Sequence, residues 1–323
     1  MGLTQENLTL TSNLEKRVSN NNKNNFYTKE ESIINKRKIL MKDVLELLKL
    51  NNSYQDRQKD IEEYMDKNSS YKILNLTVAS TSLNFSKTTF YITPYGMTDG
   101  DSENSKDGIV LFGYEQIDNI EEIIEENNKE HISAYDFVFP IEKENPSNLT
   151  DFPSFTIYFN TKDKNYYIKD FNVGIGALMK IKEYKIDHNI LINIGANYLV
   201  ICIELDTIVV KIFNNSILQN NNNDMEQKFE TRSFNIKKKK DCTITIGRSK
   251  KCDLSIEDMM MSKIQSSIKY NSKENTFYLY DGNSMKESMN GTWVYILNPV
   301  LINDNFVFKA EHTLFVVNLI QNK

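Results

Sequence analysis

Cys242-Thr243-Ile244-Thr245-Ile246-Gly247-Arg248 alternates apolar and polar residues and then breaks at a glycine followed by an arginine. Period-two alternation marks a strand with one face buried. Thr276-Phe277-Tyr278-Leu279-Tyr280-Asp281 and Thr292-Trp293-Val294-Tyr295-Ile296 repeat the pattern downstream. Between them the polar residues fall at strand ends: Asp253-Leu254, Ser262-Lys263 and the turn Asn290-Gly291. Short strands with functional side chains in the connecting loops describe a β-sandwich whose loops converge at one end. Arg248 offers a bidentate fork, Lys263 a point charge, Ser262 a hydroxyl donor and Asn290 an amide able to grip a peptide backbone. The set suits a phosphomonoester. Charge-assisted hydrogen bonds of about 1.5–3 kcal/mol each would bring such a ligand to an affinity near about 1 μM.

The order Gly-Arg, Asp-apolar, Ser-Lys and Asn-Gly-Thr-aromatic over 226–320 resembles the forkhead-associated (FHA) domain. The resemblance implies that Arg248 and Ser262 bind phosphate and that Lys263 is the variable basic contact. It also implies that Asn290 holds the peptide backbone, with Gly247, Gly291 and Thr292 setting loop geometry. The implied ligand is a phosphothreonine-containing protein. Gln265 stands where the family usually has a histidine that buttresses the loop without touching phosphate, and Met289 stands where a small polar residue is common.

The chain also repeats itself. Asn160 to Asp170 aligns with Asn271 to Asp281, and Asn189 to Ile201 with Asn305 to Val317, both without gaps. Ile109 to Tyr114 answers to Thr243 to Arg248, and Asp136-Phe137 to Asp253-Leu254. At the ligand positions the upstream copy has Tyr114 for Arg248, about Asp151 for Ser262, Phe152 for Lys263, Ile175 for Asn290 and Ala177 for Thr292. A carboxylate near a phosphate pocket repels the ligand, and an apolar residue for Asn leaves a peptide backbone unpaired. The upstream copy is expected to be a degenerate, non-binding FHA-like sandwich.

The expected fold is mainly β: two tandem FHA-like β-sandwiches preceded by an N-terminal helical segment. The expected boundaries are a disordered tail over 1–28, helix over 29–68 and the degenerate sandwich over 70–207. Within that sandwich lies an acidic insertion at 115–135. An Asn-rich linker over 208–225 and the FHA domain over 226–320 complete the chain. Ile33, Ile34, Ile39, Leu40, Val44, Leu47 and Leu48 recur at helical spacing, with a break near Asn51-Asn52-Ser53. That helix is read as packing on the first sandwich, with a partner helix as the alternative. Ile120 to Glu126 reads as a short helix with a solvated acidic face rather than a metal site.

Composition narrows the function. A net charge of −5 argues against general nucleic-acid binding. The one basic run, Lys237 to Lys240, reads as a solvated turn before a strand, with nuclear localisation as the alternative. Three cysteines without CxxC spacing fit a reduced, intracellular and cytoplasmic setting, nuclear and cytoskeletal ones also fitting. No run of eighteen apolar residues occurs, so no membrane span is expected. Three scattered histidines and the lack of catalytic motifs point away from an enzyme, and no cofactor or metal is implied. Two functions remain: a phosphothreonine-binding adaptor, or a phosphate-independent scaffold of a larger assembly that packs through the first sandwich and the helix.

Overall fold

The computed structural model describes residues 29–50, 53–83, 87–98, 106–114, 133–139, 152–173, 176–214, 229–236, 240–283 and 285–322. The tail 1–28, most of the acidic insertion, Lys237 to Lys239, Asp151, Ile175 and the tract Asn220–Asn223 lie outside them. The described residues are mainly β, with two helices at the N-terminal side. The chain divides into two compact units, and the strands of the described residues form three sheets.

Helix α1 (Lys29–Leu47) and helix α2 (Tyr54–Lys67) are separated near the expected break. Ser53 caps α2 in a reciprocal box: its hydroxyl accepts from the Asp56 amide at 3.2 Å, and the Asp56 carboxylate accepts from the Ser53 amide at 3.2 Å. The strands that follow are β1 (Lys72–Thr81), β2 (Thr89–Thr93), β3 (Gly96–Met97), β4 (Ile109–Gly113), β5 (Phe137–Val138), β6 (Phe155–Asn160) and β7 (Asn165–Asp170). Next in the chain are β8 (Leu178–Ile181), β9 (Glu183–Ile186), β10 (Ile190–Ile194), β11 (Asn197–Glu204), β12 (Thr207–Asn214) and β13 (Glu230–Asn235). Then come β14 (Cys242–Gly247), β15 (Leu254–Ser255), β16 (Ser266–Asn271), β17 (Thr276–Asp281) and β18 (Thr292–Tyr295). The last are β19 (Val300–Leu301), β20 (Phe306–Ala310) and β21 (Thr313–Gln321).

The first unit takes the described residues up to Ala177 and those from Ile296 onward. Its strands run in the orders β20-β21-β1-β2-β3 and β19-β7-β6-β4-β5. Helix α1 closes this unit on one side, with Leu40, Met41 and Val44 in one buried cluster with Ile109, Leu111, Tyr158 and Phe171. This is the packing expected for the helix. The α2 residue Arg57, only 1% exposed, donates to the Asp107 and Phe159 carbonyls at 3.2 and 2.8 Å.

The second unit is the continuous stretch Leu178–Tyr295. Its strands run in the orders β13-β12-β11-β10-β18-β8 and β15-β14-β16-β17-β9. Two differences from the expected boundaries follow. Residues 208–214, placed in the linker, belong to strand β12. More important, the two hairpins that align with each other have exchanged sandwiches. Strands β10 and β11, expected with the upstream copy, pair with β18 and β12 in the second unit. Strands β20 and β21, expected with the downstream copy, complete the first unit, where β21 runs antiparallel to β1 from Lys72↔Gln321 to Thr81↔Thr313.

Core chemistry accounts for the exchange. The first unit is rich in phenylalanine, and Phe308 of β20 and Phe315 of β21 enter that cluster. Phe315 lies 6.0 Å from Phe137 and 6.4 Å from Phe155, and Phe308 lies 5.6 Å from Phe155. The second unit's buried residues are largely aliphatic, and β10 and β11 add Ile190, Ile192, Leu199 and Ile201 to Ile246, Leu254 and Leu279 among them. Close-packed interiors reward matched shapes, so each hairpin sits with side chains of its own kind.

Candidate functional site

The residues singled out in the sequence lie on three neighbouring loops of the second unit, held together by backbone and side-chain hydrogen bonds. Gly247 ends β14 and pairs in parallel with Ser255 of β15. A side chain at Gly247 could not be accommodated: its Cβ would stand 2.4 Å from the Lys263 carbonyl oxygen. The close approach lets the Arg248 amide donate to the Ser262 carbonyl at 3.1 Å and the Ser249 amide to the Lys263 carbonyl at 3.2 Å. The Arg248 and Lys263 side chains are exposed. Asp253 steadies this first loop from behind, accepting from the Thr245 amide and hydroxyl at 2.8 and 2.7 Å. The Thr245 amide holds the Asp253 carboxyl below the usual carboxylate range.

The second and third loops meet at Ser262. Its hydroxyl oxygen accepts from the Met289 amide at 2.9 Å, which leaves the hydroxyl proton free to donate outward. The adjacent Asn290 side chain donates through Nδ2 to the Met260 carbonyl at 2.6 Å, leaving its Oδ1 as an acceptor for a peptide N–H. Gly291 follows with φ +76°, the left-handed region a glycine enters without strain. Trp293 fixes the turn from below, its indole N–H donating to the Asn290 carbonyl at 3.0 Å.

Gln265 provides the buttress. It is fully buried, and its Oε1 accepts from the Ser262 amide at 2.9 Å while its Nε2 donates to Ser288 Oγ at 2.7 Å and the Gly291 carbonyl at 2.8 Å. One amide side chain thus ties the serine loop to the asparagine turn. A single side chain with both a donor and an acceptor end suits that task. Beneath it, Thr292 is fully buried and reaches Ser266 Oγ at 2.7 Å and Asp281 Oδ1 at 2.8 Å.

Sequence reasoning missed one contributor, because it comes from the exchanged hairpin. The Asp258 carboxylate accepts from the Ala196 amide and Asn197 Nδ2, both at 2.8 Å, and from the Met260 amide at 2.7 Å. The β10–β11 turn therefore anchors the loop that leads into Ser262. Nothing local to Asp258 signals a partner 61 residues upstream.

The first unit repeats the framework bonds with different side chains. The Leu111 amide donates to Asp136 Oδ2 at 2.8 Å, as the Thr245 amide does to Asp253. The Ser154 amide donates to the Phe112 carbonyl at 2.8 Å, as the Gln265 amide does to Ile246. At the place of exposed Arg248 stands Tyr114, whose hydroxyl donates to Glu311 Oε2 at 3.0 Å. At the place of exposed Lys263 stands Phe152, buried against Phe171 at 5.3 Å. Arg37 of α1 adds a salt bridge of 3.0 Å to Asp136.

The family model for the FHA domain matches residues 244–310. Residues 244–295 of that match lie in the second unit and 296–310 in the first. Comparison with curated proteins and with solved structures returned no match.

Proposed function

We propose, starting from the FHA domain match, that this chain is an adaptor that recognises a phosphothreonine-containing protein through its second unit. Arg248, Ser262 and Lys263 would take the phosphate, and Asn290 the peptide backbone. The observation that carries this reading is that the three loops meet at Ser262: its carbonyl accepts from Arg248 of the first, its hydroxyl from Met289 of the third, and its amide donates to Gln265, which in turn donates to the Gly291 carbonyl. Loops tied in this way are preorganised, so less entropy is lost when the ligand binds. The chemistry is that of binding rather than turnover. The first unit, a degenerate repeat in this reading, keeps the framework, with Tyr114 half-buried and bonded to Glu311 and Phe152 packed inward. Its role is to pack, together with α1, against other proteins.

Three unbridged cysteines support an intracellular setting. Among the described residues no helix is long and apolar enough to cross a membrane.

The test is titration of the full chain with an oriented library of phosphothreonine peptides, alongside unphosphorylated controls and Arg248→Ala. The expected result is phosphate-dependent binding in the micromolar range that weakens by about 100-fold in the variant, the loss of a bidentate charge-assisted contact of about 3 kcal/mol. A specific observation favours the scaffold alternative for the first unit alone, namely Phe152 packed inward at a ligand position. Partner recovery from cells that survives both Arg248→Ala and phosphatase treatment would extend the scaffold reading to the whole chain.

A further inference from the structure

Four exposed methionines stand on the two loops that carry Ser262 and Asn290. Met259 is 86% exposed, Met260 61%, Met285 95% and Met289 89%. Their exposure is not the fraying of a loose loop. The Met260 amide is held by Asp258, its carbonyl by Asn290, and the Met289 amide by Ser262. Met261, next in line, is 2% exposed, so the chain turns one methionine into the unit and its two predecessors out. A rigid backbone therefore presents apolar thioether side chains beside the residues proposed to take phosphate and peptide.

Fixed, water-exposed apolar side chains clustered at a binding site mark a contact surface. Methionine is the residue suited to that role, because its unbranched, polarisable side chain moulds to differently shaped apolar partners. Phosphate itself has no use for such a rim, which matches an apolar side chain carried by the same ligand.

We propose that Met259, Met260 and Met289 form an apolar rim that grips a bulky aliphatic or aromatic side chain flanking the phosphothreonine. The ligand class is then a phosphothreonine segment with apolar flanks, and charged or amide-bearing flanks are disfavoured because they leave the thioethers in water. This inference rests on the phosphothreonine reading of the same site.

The experiment is fluorescence anisotropy on the full chain with two phosphothreonine peptides, identical except that the flanking residues are Leu and Phe in one and Gln in the other. Unphosphorylated forms of both serve as controls. The apolar-flanked peptide is expected to bind about tenfold more tightly, the discrimination that one or two apolar contacts supply. In the M259Q/M260Q/M289Q variant that ratio is expected to fall below about twofold, whereas M259L/M260L/M289L keeps it, since Leu remains apolar. Prior treatment with hydrogen peroxide, which turns each thioether to a sulfoxide and the peroxide to water, should lower the ratio in the wild type and not in the Leu variant. Equal affinity of the wild type for both phosphopeptides, or an undiminished ratio in the Gln variant, would overturn the rim. Phosphate-dependent binding with no flank preference defeats the rim alone. Absence of phosphate dependence in either peptide defeats the reading of the site as well.

Discussion

A fragment spanning residues 178–295 is expected to fold cooperatively and bind phosphothreonine peptide, while a fragment spanning 226–323 is expected to do neither. The second fragment is the natural choice from the linear repeat, and it contains every proposed ligand residue. It lacks β9, which pairs with β17 through four residue pairs, and it lacks β10, β11 and β12 altogether. With them go Ile190, Ile192, Ile194, Leu199, Ile201, Ile208, Val210 and Ile212, all buried. Burying one such side chain contributes roughly 1.5–3 kcal/mol. Eight of them, about 12–24 kcal/mol, match or exceed the whole net stability of a typical domain, about 5–15 kcal/mol. The same fragment retains β20 and β21 without β1, leaving one edge of an apolar strand unpaired. Circular dichroism melts and amide exchange decide the matter. A sigmoidal melt from 226–323, with peptide binding intact, would refute the exchanged arrangement.

The second large effect is expected from Gln265→Leu. The substitution keeps the approximate volume and strips three hydrogen bonds, leaving the Ser262 amide and the Gly291 carbonyl short of a partner, while Ser288 Oγ keeps its bonds to Asp281 and the Gly291 amide. Uncompensated buried polar groups cost about 1–3 kcal/mol each, and partial relaxation brings the expected loss to about 3 kcal/mol. For a unit of this length that is a fall on the order of 10 °C in melting temperature. Phosphopeptide affinity should drop by more than stability alone explains, because the serine loop and the asparagine turn lose their common tie. Gln265→His, which again offers a donor and an acceptor, should recover much of both. Wild-type melting and affinity in the Leu variant would show that the tie is dispensable.

Much of this was legible in the residues themselves. Alternation in Cys242 to Gly247 and Thr276 to Asp281 announced half-buried strands, and the polar breaks at Arg248, Ser262 and Asn290 announced the loops that meet. Local pattern suffices there, because period and turn chemistry are properties of neighbours in the chain. The destination of the hairpins was not legible. Asn189 to Ile201 and Asn305 to Val317 share one pattern, and only the shape of the cores, phenylalanine in one unit and aliphatic in the other, distinguishes their places. The anchoring of Asp258 by Asn197 was hidden for the same reason. Gln265 could be read as a departure from the histidine expected there. Its function as a strut depends on Ser288 and Gly291, which reach it only in three dimensions.

The insertion of one unit within the other also orders events in time. On an emerging polypeptide, all the strands of the Leu178–Tyr295 unit are available before β20 and β21 have been made. That unit can therefore mature first. Meanwhile β1 to β7 wait, with the flank of β1 and its apolar Leu74, Leu76 and Val78 unmatched until the β21 partner arrives. Unpaired strand edges of that kind invite association between nascent chains. The host unit, rather than the one inserted in its sequence, is thus the part that waits longest with an unpaired strand edge.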